Sequence, residues 1–91
     1  MAVLKDILYG VALEQVIGST EVEIAQIAFD SRKVASQTLF VAIKGTQTDG
    51  HAYISLAIEK GASAVVLENL PEHLVDGITY LVVANSAKAL G

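Results

Sequence analysis

Three short apolar runs constrain this chain more than anything else in it: TLFVAI over residues 38–43, AVVL over 64–67 and ITYLVV over 78–83. None alternates apolar with polar. Strands of this kind are covered on both faces, as the inner strands of parallel sheets are. Between the first two runs, residues 51–60 place Tyr53, Ile54, Ala57 and Ile58 at helical spacing, which predicts an amphipathic helix. Asp49 or Gly50 stands where an N-cap belongs, and Gly61 where a left-handed C-cap belongs. Strand, helix and strand with short joints make a βαβ unit, which builds parallel sheets with right-handed crossovers. The expected fold class is α/β: a small sheet, mostly parallel or mixed, flanked by helices, in one domain over residues 1–91.

The remaining segments fit around that unit. Val3, Leu4, Ile7 and Leu8 predict a first helix over residues 3–9, ending at Gly10. Val16, Ile17 and Val22 read as strand pieces broken by a turn at Gly18 and Ser19. Residues 24–29 (IAQIAF) predict a strand that stops at Asp30-Ser31-Arg32, whose short polar side chains favour a turn. Residues 70–76 read as a loop or helical turn containing Pro71. Ser86 is expected to cap a helix beginning at Ala87. Because the chain ends one turn into that helix, it is expected to be a fragment of something longer.

Composition removes several function classes. A hydrophobic fraction of 53% is too high for a disordered tail and ample for one core. The net charge of −4 argues against a general nucleic-acid surface. That charge is uneven. Residues 30–50 carry Arg32, Lys33 and Lys44 against Asp30 and Asp49, a net +1, while the rest carries three lysines and eight acids, a net −5. A locally basic stretch in an acidic chain could suit a small anionic ligand, but on charge alone a few solvated surface lysines are the better account. With no cysteine there is no disulfide and no thiolate site. The N-terminus lacks the apolar run of a signal peptide, and no stretch approaches the roughly 18–20 residues that span a bilayer. A cytoplasmic location is the expectation.

Ligands of open α/β sheets bind beyond the carboxyl ends of the strands. Two such ends are polar: residues 30–33 (DSRK) and residues 44–50 (KGTQTDG). If their strands are parallel neighbours, the loops meet at one rim. The second runs into a helix N-terminus, whose free N–H groups favour an anion or a carbonyl. Gly45 and Gly50 permit close backbone approach. Ser31, Thr46, Gln47 and Thr48 offer donors and acceptors to a base edge or sugar hydroxyl, and Arg32 or Lys44 a cation to a phosphate. On the residues alone, two ordinary loops with turn chemistry remain the better reading. His51, beside Asp49, and His73 lack metal-ligand spacing. Asp30 and Asp49 read as turn-forming and capping groups. There is no P-loop, no GxGxxG and no GxSxG.

The run from Phe29 to Gly50, followed by His51, Ala52, Tyr53 and Ile54, resembles the N-terminal signature of the Mur ligases, most closely their MurE branch. That pattern is DSR-(K/R)-V, LFVA-(apolar)-KG, three variable residues, DGH-x-(aromatic)-I, then A-I-x-x-GA-x-A-V-V-x-E. Here Ala57-Ile58, Gly61-Ala62, Ala64-Val65-Val66 and Glu68 complete it, and the likeness spans residues 24–91. One departure is Gln37-Thr38, where the family usually has Gly-Asp. The resemblance implies a parent enzyme that couples ATP hydrolysis, with Mg2+, to amide-bond formation on UDP-N-acetylmuramoyl-L-alanyl-D-glutamate. It implies uridine contacts at Phe29, Ser31, Thr46, Gln47 and Thr48; the loop chemistry adds Arg32, Lys44, Gly45, Asp49, Gly50 and His51 as candidate supporting residues. ATP, metal ligands and catalytic residues would lie in domains beyond this one, so no catalytic or metal-binding residue is expected here. Two alternatives stand beside it: the equivalent domain of the MurF branch, and a stand-alone α/β interaction module without a nucleotide. A coding sequence that continues into GTxGK[ST] would eliminate the latter.

Overall fold

The structure, a computed structural model, describes residues 2–43 and 50–89. Its strands are β1 (Ala2–Val3), β2 (Gln15–Ile17), β3 (Glu23–Ile24), β4 (Gln26–Ala28), β5 (Thr38–Val41), β6 (Ala62–Leu67) and β7 (Thr79–Val82). Its helices are α1 (Leu4–Ile7), α2 (Ile54–Glu59) and α3 (Ser86–Ala89), with 3-10 turns at Ser31–Lys33 and Gly50–Tyr53. Five strands form the main sheet in the order β2-β7-β6-β5-β4, and β1 with β3 forms a separate two-stranded ribbon. β4, β5, β6 and β7 run parallel, and β2 joins β7 antiparallel. The expected α/β class is met, with a mixed sheet.

The continuous apolar runs are explained by two cores, one on each face. Phe40, Val65, Leu67, Tyr80 and Val82 pack on one side with Ile54 and Ala57 of α2. Leu39, Val41, Ala64, Val66, Leu81 and Val83 pack on the other with Leu4 and Leu8 from the α1 region. Successive side chains along a strand point to opposite faces, so a strand buried on both sides must be apolar at every step.

Three local expectations are corrected. The strand expected over 24–29 is two strands broken at Ala25, whose N–H donates to the Gln37 carbonyl at 2.7 Å. Ile24 and Ala28 are four residues apart and would share a face in a straight strand, yet they are buried in opposite cores. The break supplies the half-turn. The first helix is shorter than 3–9, because Val3 pairs with Glu23 in the ribbon. Finally, Asn85 rather than Ser86 caps α3, its Oδ1 accepting from the Lys88 N–H at 3.3 Å. Ser86 instead donates through its N–H and its hydroxyl to one Glu68 carboxylate oxygen, at 2.9 and 3.0 Å.

The joint from α2 into β6 follows the expected capping. Gly61 has φ +117°, and an added Cβ would lie 2.9 Å from Ser36 backbone atoms. Gly61 therefore lets α2 end directly against the turn that leads into β5.

Candidate functional site

β4 and β5 pair in parallel with Ala28 opposite Phe40, so they end at the same rim. The chain leaves β4 through Phe29 and Asp30 into the 3-10 turn that holds Ser31. Asp30 builds that turn. Its Oδ1 accepts from the Arg32 backbone N–H at 2.9 Å, and the Arg32 guanidinium donates back to both carboxylate oxygens at 2.7–3.2 Å. A donor bonded to the ionised form favours that form. The hydrogen bonds from Arg32 accordingly hold the Asp30 carboxyl at about 2, below its ordinary 3.8. The same bonds raise the pKa of Arg32. Asp30 is thus the turn-forming group expected, and Arg32 already has a carboxylate partner.

The far end of the turn is held as firmly. Gln26 donates from its side-chain amide to the Lys33 carbonyl at 3.0 Å and to the Thr38 hydroxyl at 2.9 Å. The same hydroxyl oxygen accepts from the Ala35 N–H at 3.1 Å. Ser31 is left only 7% exposed, whereas Phe29 stands 56% exposed.

A cavity of about 480 Å³ opens beyond the two strand ends, lined by Phe29, Asp30, Ser31, Arg32, Phe40, Ile43, Tyr53 and Leu56. It joins the exit of β4, the exit of β5 and the start of α2. Of the residues singled out in the sequence, Phe29, Ser31 and Arg32 therefore share one concavity. Gly50 and His51 open the 3-10 turn that leads into α2. Lys44, Gly45, Thr46, Gln47, Thr48 and Asp49 lie outside the described residues. Sequence reasoning passed over Ile43, Tyr53 and Leu56 as lining residues. Tyr53 belongs to the apolar stripe expected for α2, but Ile54 and Ala57 are the buried residues of that helix and Tyr53 stays 41% exposed. A tyrosine at the edge of such a stripe, just after a polar loop, was the available signal.

Among the described residues there is no group of three or more His, Cys, Asp or Glu placed to hold a metal ion. No helix among them is long and apolar enough to cross a membrane.

Comparison with known proteins fits this geometry. A profile described as "Mur ligase family, catalytic domain" matches residues 23–90. The UDP-N-acetylmuramoyl-L-alanyl-D-glutamate--2,6-diaminopimelate ligase of Bacteroides fragilis is 49% identical over 88 residues, 97% of this chain and 18% of that one. The ligase of the same name from Phocaeicola vulgatus is 48% identical over the same shares. Among solved structures, a UDP-N-acetylmuramoylalanyl-D-glutamyl-2,6-diaminopimelate--D-alanyl-D-alanyl ligase from Acinetobacter baumannii superposes with a TM-score of 0.64 at 30% identity. The match covers 72% of this chain and 14% of that one. The chain thus spans about a fifth of the length of the curated relatives it matches.

Proposed function

The chain belongs to the Mur ligase family, and from that membership we propose that it is a substrate-binding domain over residues 1–91. It holds the UDP end of UDP-N-acetylmuramoyl-L-alanyl-D-glutamate for an ATP-dependent ligase of peptidoglycan synthesis in the cytoplasm. The observation that carries the reading is the cavity at the β4–β5 rim, which holds Phe29 and Ser31, two of the residues to which the family resemblance assigns uridine contacts, together with Arg32. Thr46, Gln47 and Thr48 complete the set by their place in the motif. Relatives near 49% identity act, by name, with 2,6-diaminopimelate, which favours that amino acid as the one added. The solved neighbours belong to the next ligase, MurF, but at 30% identity they support the shared fold more than that substrate.

Such a domain works through binding. ATP and Mg2+ supply carboxylate activation in the parent enzyme. The chain has no P-loop motif, and among its described residues no cluster is placed to hold a metal ion, so no chemical step is assigned to these residues. A firm grip on the UDP end fixes the far end of a long substrate and lowers the entropy cost of bringing it to the reacting groups.

Titration of the 15N-labelled chain with UDP tests the reading. The expected result is saturable, weak binding with amide shifts centred on Phe29, Ser31 and the turn that follows. An absence of shifts at millimolar UDP, or shifts confined to the opposite rim of the sheet, would overturn it.

A further inference from the structure

Three of the five aromatic residues of the chain line the cavity beyond β4 and β5. Phe40 is buried at its floor and is accounted for by the core. Phe29 and Tyr53 are not, since each leaves much of its ring in water. Leu56 on the same wall is 39% exposed, which adds an aliphatic side chain to the two open rings. Folding alone does not call for this, because α2 is anchored by Ile54 and Ala57. The two rings also come from different elements. Phe29 follows β4, and Tyr53 occupies the residue before the first turn of α2.

The charge on this wall points the same way. Asp30 and Arg32 are the only charged groups among the described lining residues, and they are paired at 2.7 Å. Among the described lining residues an anionic diphosphate would find no uncompensated cation. A flat, neutral heterocycle would find two exposed aromatic side chains and aliphatic neighbours, the kind of surface on which bases stack.

Resting on the reading given under Proposed function, we infer that Tyr53 is a second nucleobase-contacting residue. The uracil ring packs against Tyr53 as well as Phe29, with Leu56 and Ile43 along the same wall, and the diphosphate lies outside this slot. The specificity is for a planar base, and recognition at this wall does not depend on phosphate.

The test compares uridine, UDP and inorganic pyrophosphate as ligands of the 91-residue chain. Tyr53→Leu keeps apolar bulk and removes the ring. It is expected to weaken uridine and UDP binding about tenfold, the scale of losing one base–aromatic stack. Leu74→Ala, at an exposed site off the cavity, leaves affinity unchanged. A second measurement needs no variant: intermolecular NOEs from the Tyr53 ring to uracil H5 and H6, with upfield shifts of both protons, are expected in the native chain. Wild-type affinity of Tyr53→Leu for uridine, absent Tyr53 NOEs at saturation, or pyrophosphate shifting the same cavity amides would each overturn the inference while leaving UDP binding intact. Failure of the native chain to bind UDP would overturn the proposed function and this inference together.

Discussion

Gln37 holds its backbone at φ +58°, the only positive φ at a non-glycine among the described residues. The position is pinned on both sides: its N–H donates to the Gly61 carbonyl at 3.1 Å and its carbonyl accepts from Ala25 at 2.7 Å. A left-handed conformation costs a side-chain-bearing residue roughly 1–2 kcal/mol, part of which glycine gives back in unfolded-state entropy. Gln37→Gly is therefore expected to stabilise the chain by about 0.5–1 kcal/mol, read as a higher urea midpoint at unchanged slope. The departure from the family pattern had marked this turn from the sequence alone. Asp30 carries a second residue-scale prediction. Its folded-state pKa, about 2, lies below its ordinary 3.8, so it contributes stability above pH 4 that is lost as pH falls through 2. Asp30→Asn should flatten the acid limb of stability between pH 4 and 2 and leave its shape near neutrality unchanged. An acid limb identical to that of the native chain would show that the Arg32 pairing contributes nothing to folding.

Elements in this fold depend on where they end. Gly61 closes α2 against the backbone of Ser36, and that backbone cannot swing aside as a flexible side chain would. Gly61→Ala should cost about 2–3 kcal/mol by combining positive-φ strain with overpacking. Gly10→Ala is the control. It also has positive φ, but its Cβ would meet nothing within 4 Å, so thermal melts should show a clearly smaller loss. Because Gly61 and Gln37 share a hydrogen bond, the Gly61→Ala and Gln37→Gly effects should be non-additive. The same scale shows what was legible in the sequence. β5, β6 and β7 are legible as continuous apolar runs, and α2 by its helical spacing. The break at Ala25 was not, because it is set by which core receives Ile24 and which receives Ala28, a fact of tertiary packing. At the candidate site the motif selected Phe29 and Ser31. Tyr53 is not legible as a lining residue because a helical stripe does not reveal which of its members overhangs a strand end, and Leu56 because it falls outside that stripe.

At the scale of the whole molecule, the cavity and the core share strands. Phe40 is at once a floor of the cavity and a member of the core beneath α2. β6 lies at the centre of the five-stranded sheet, with buried side chains in both cores. Its amides, with those of β5 and β7, should exchange slowest, while the two-stranded β1–β3 ribbon opens first. A ligand at the β4–β5 rim then acts on a boundary between stable and less stable structure. β4 is an edge strand held on one side only, and its exit turn depends on the Gln26 and Asp30 contacts. UDP bound there adds free energy only to the folded state. At ten times its dissociation constant it should raise stability by about 1.4 kcal/mol, and the melting temperature by roughly 6–11 °C for a chain of this size. Extra hydrogen-exchange protection should appear in β4, the turn after it and the start of α2, and in the core amides of β5–β7 that exchange through global unfolding, but not in amides that open locally elsewhere. Protection gained by the locally opening β1–β3 ribbon but not by β4 or the turn after it would indicate binding elsewhere, because a rim ligand suppresses local opening only in the structure it touches.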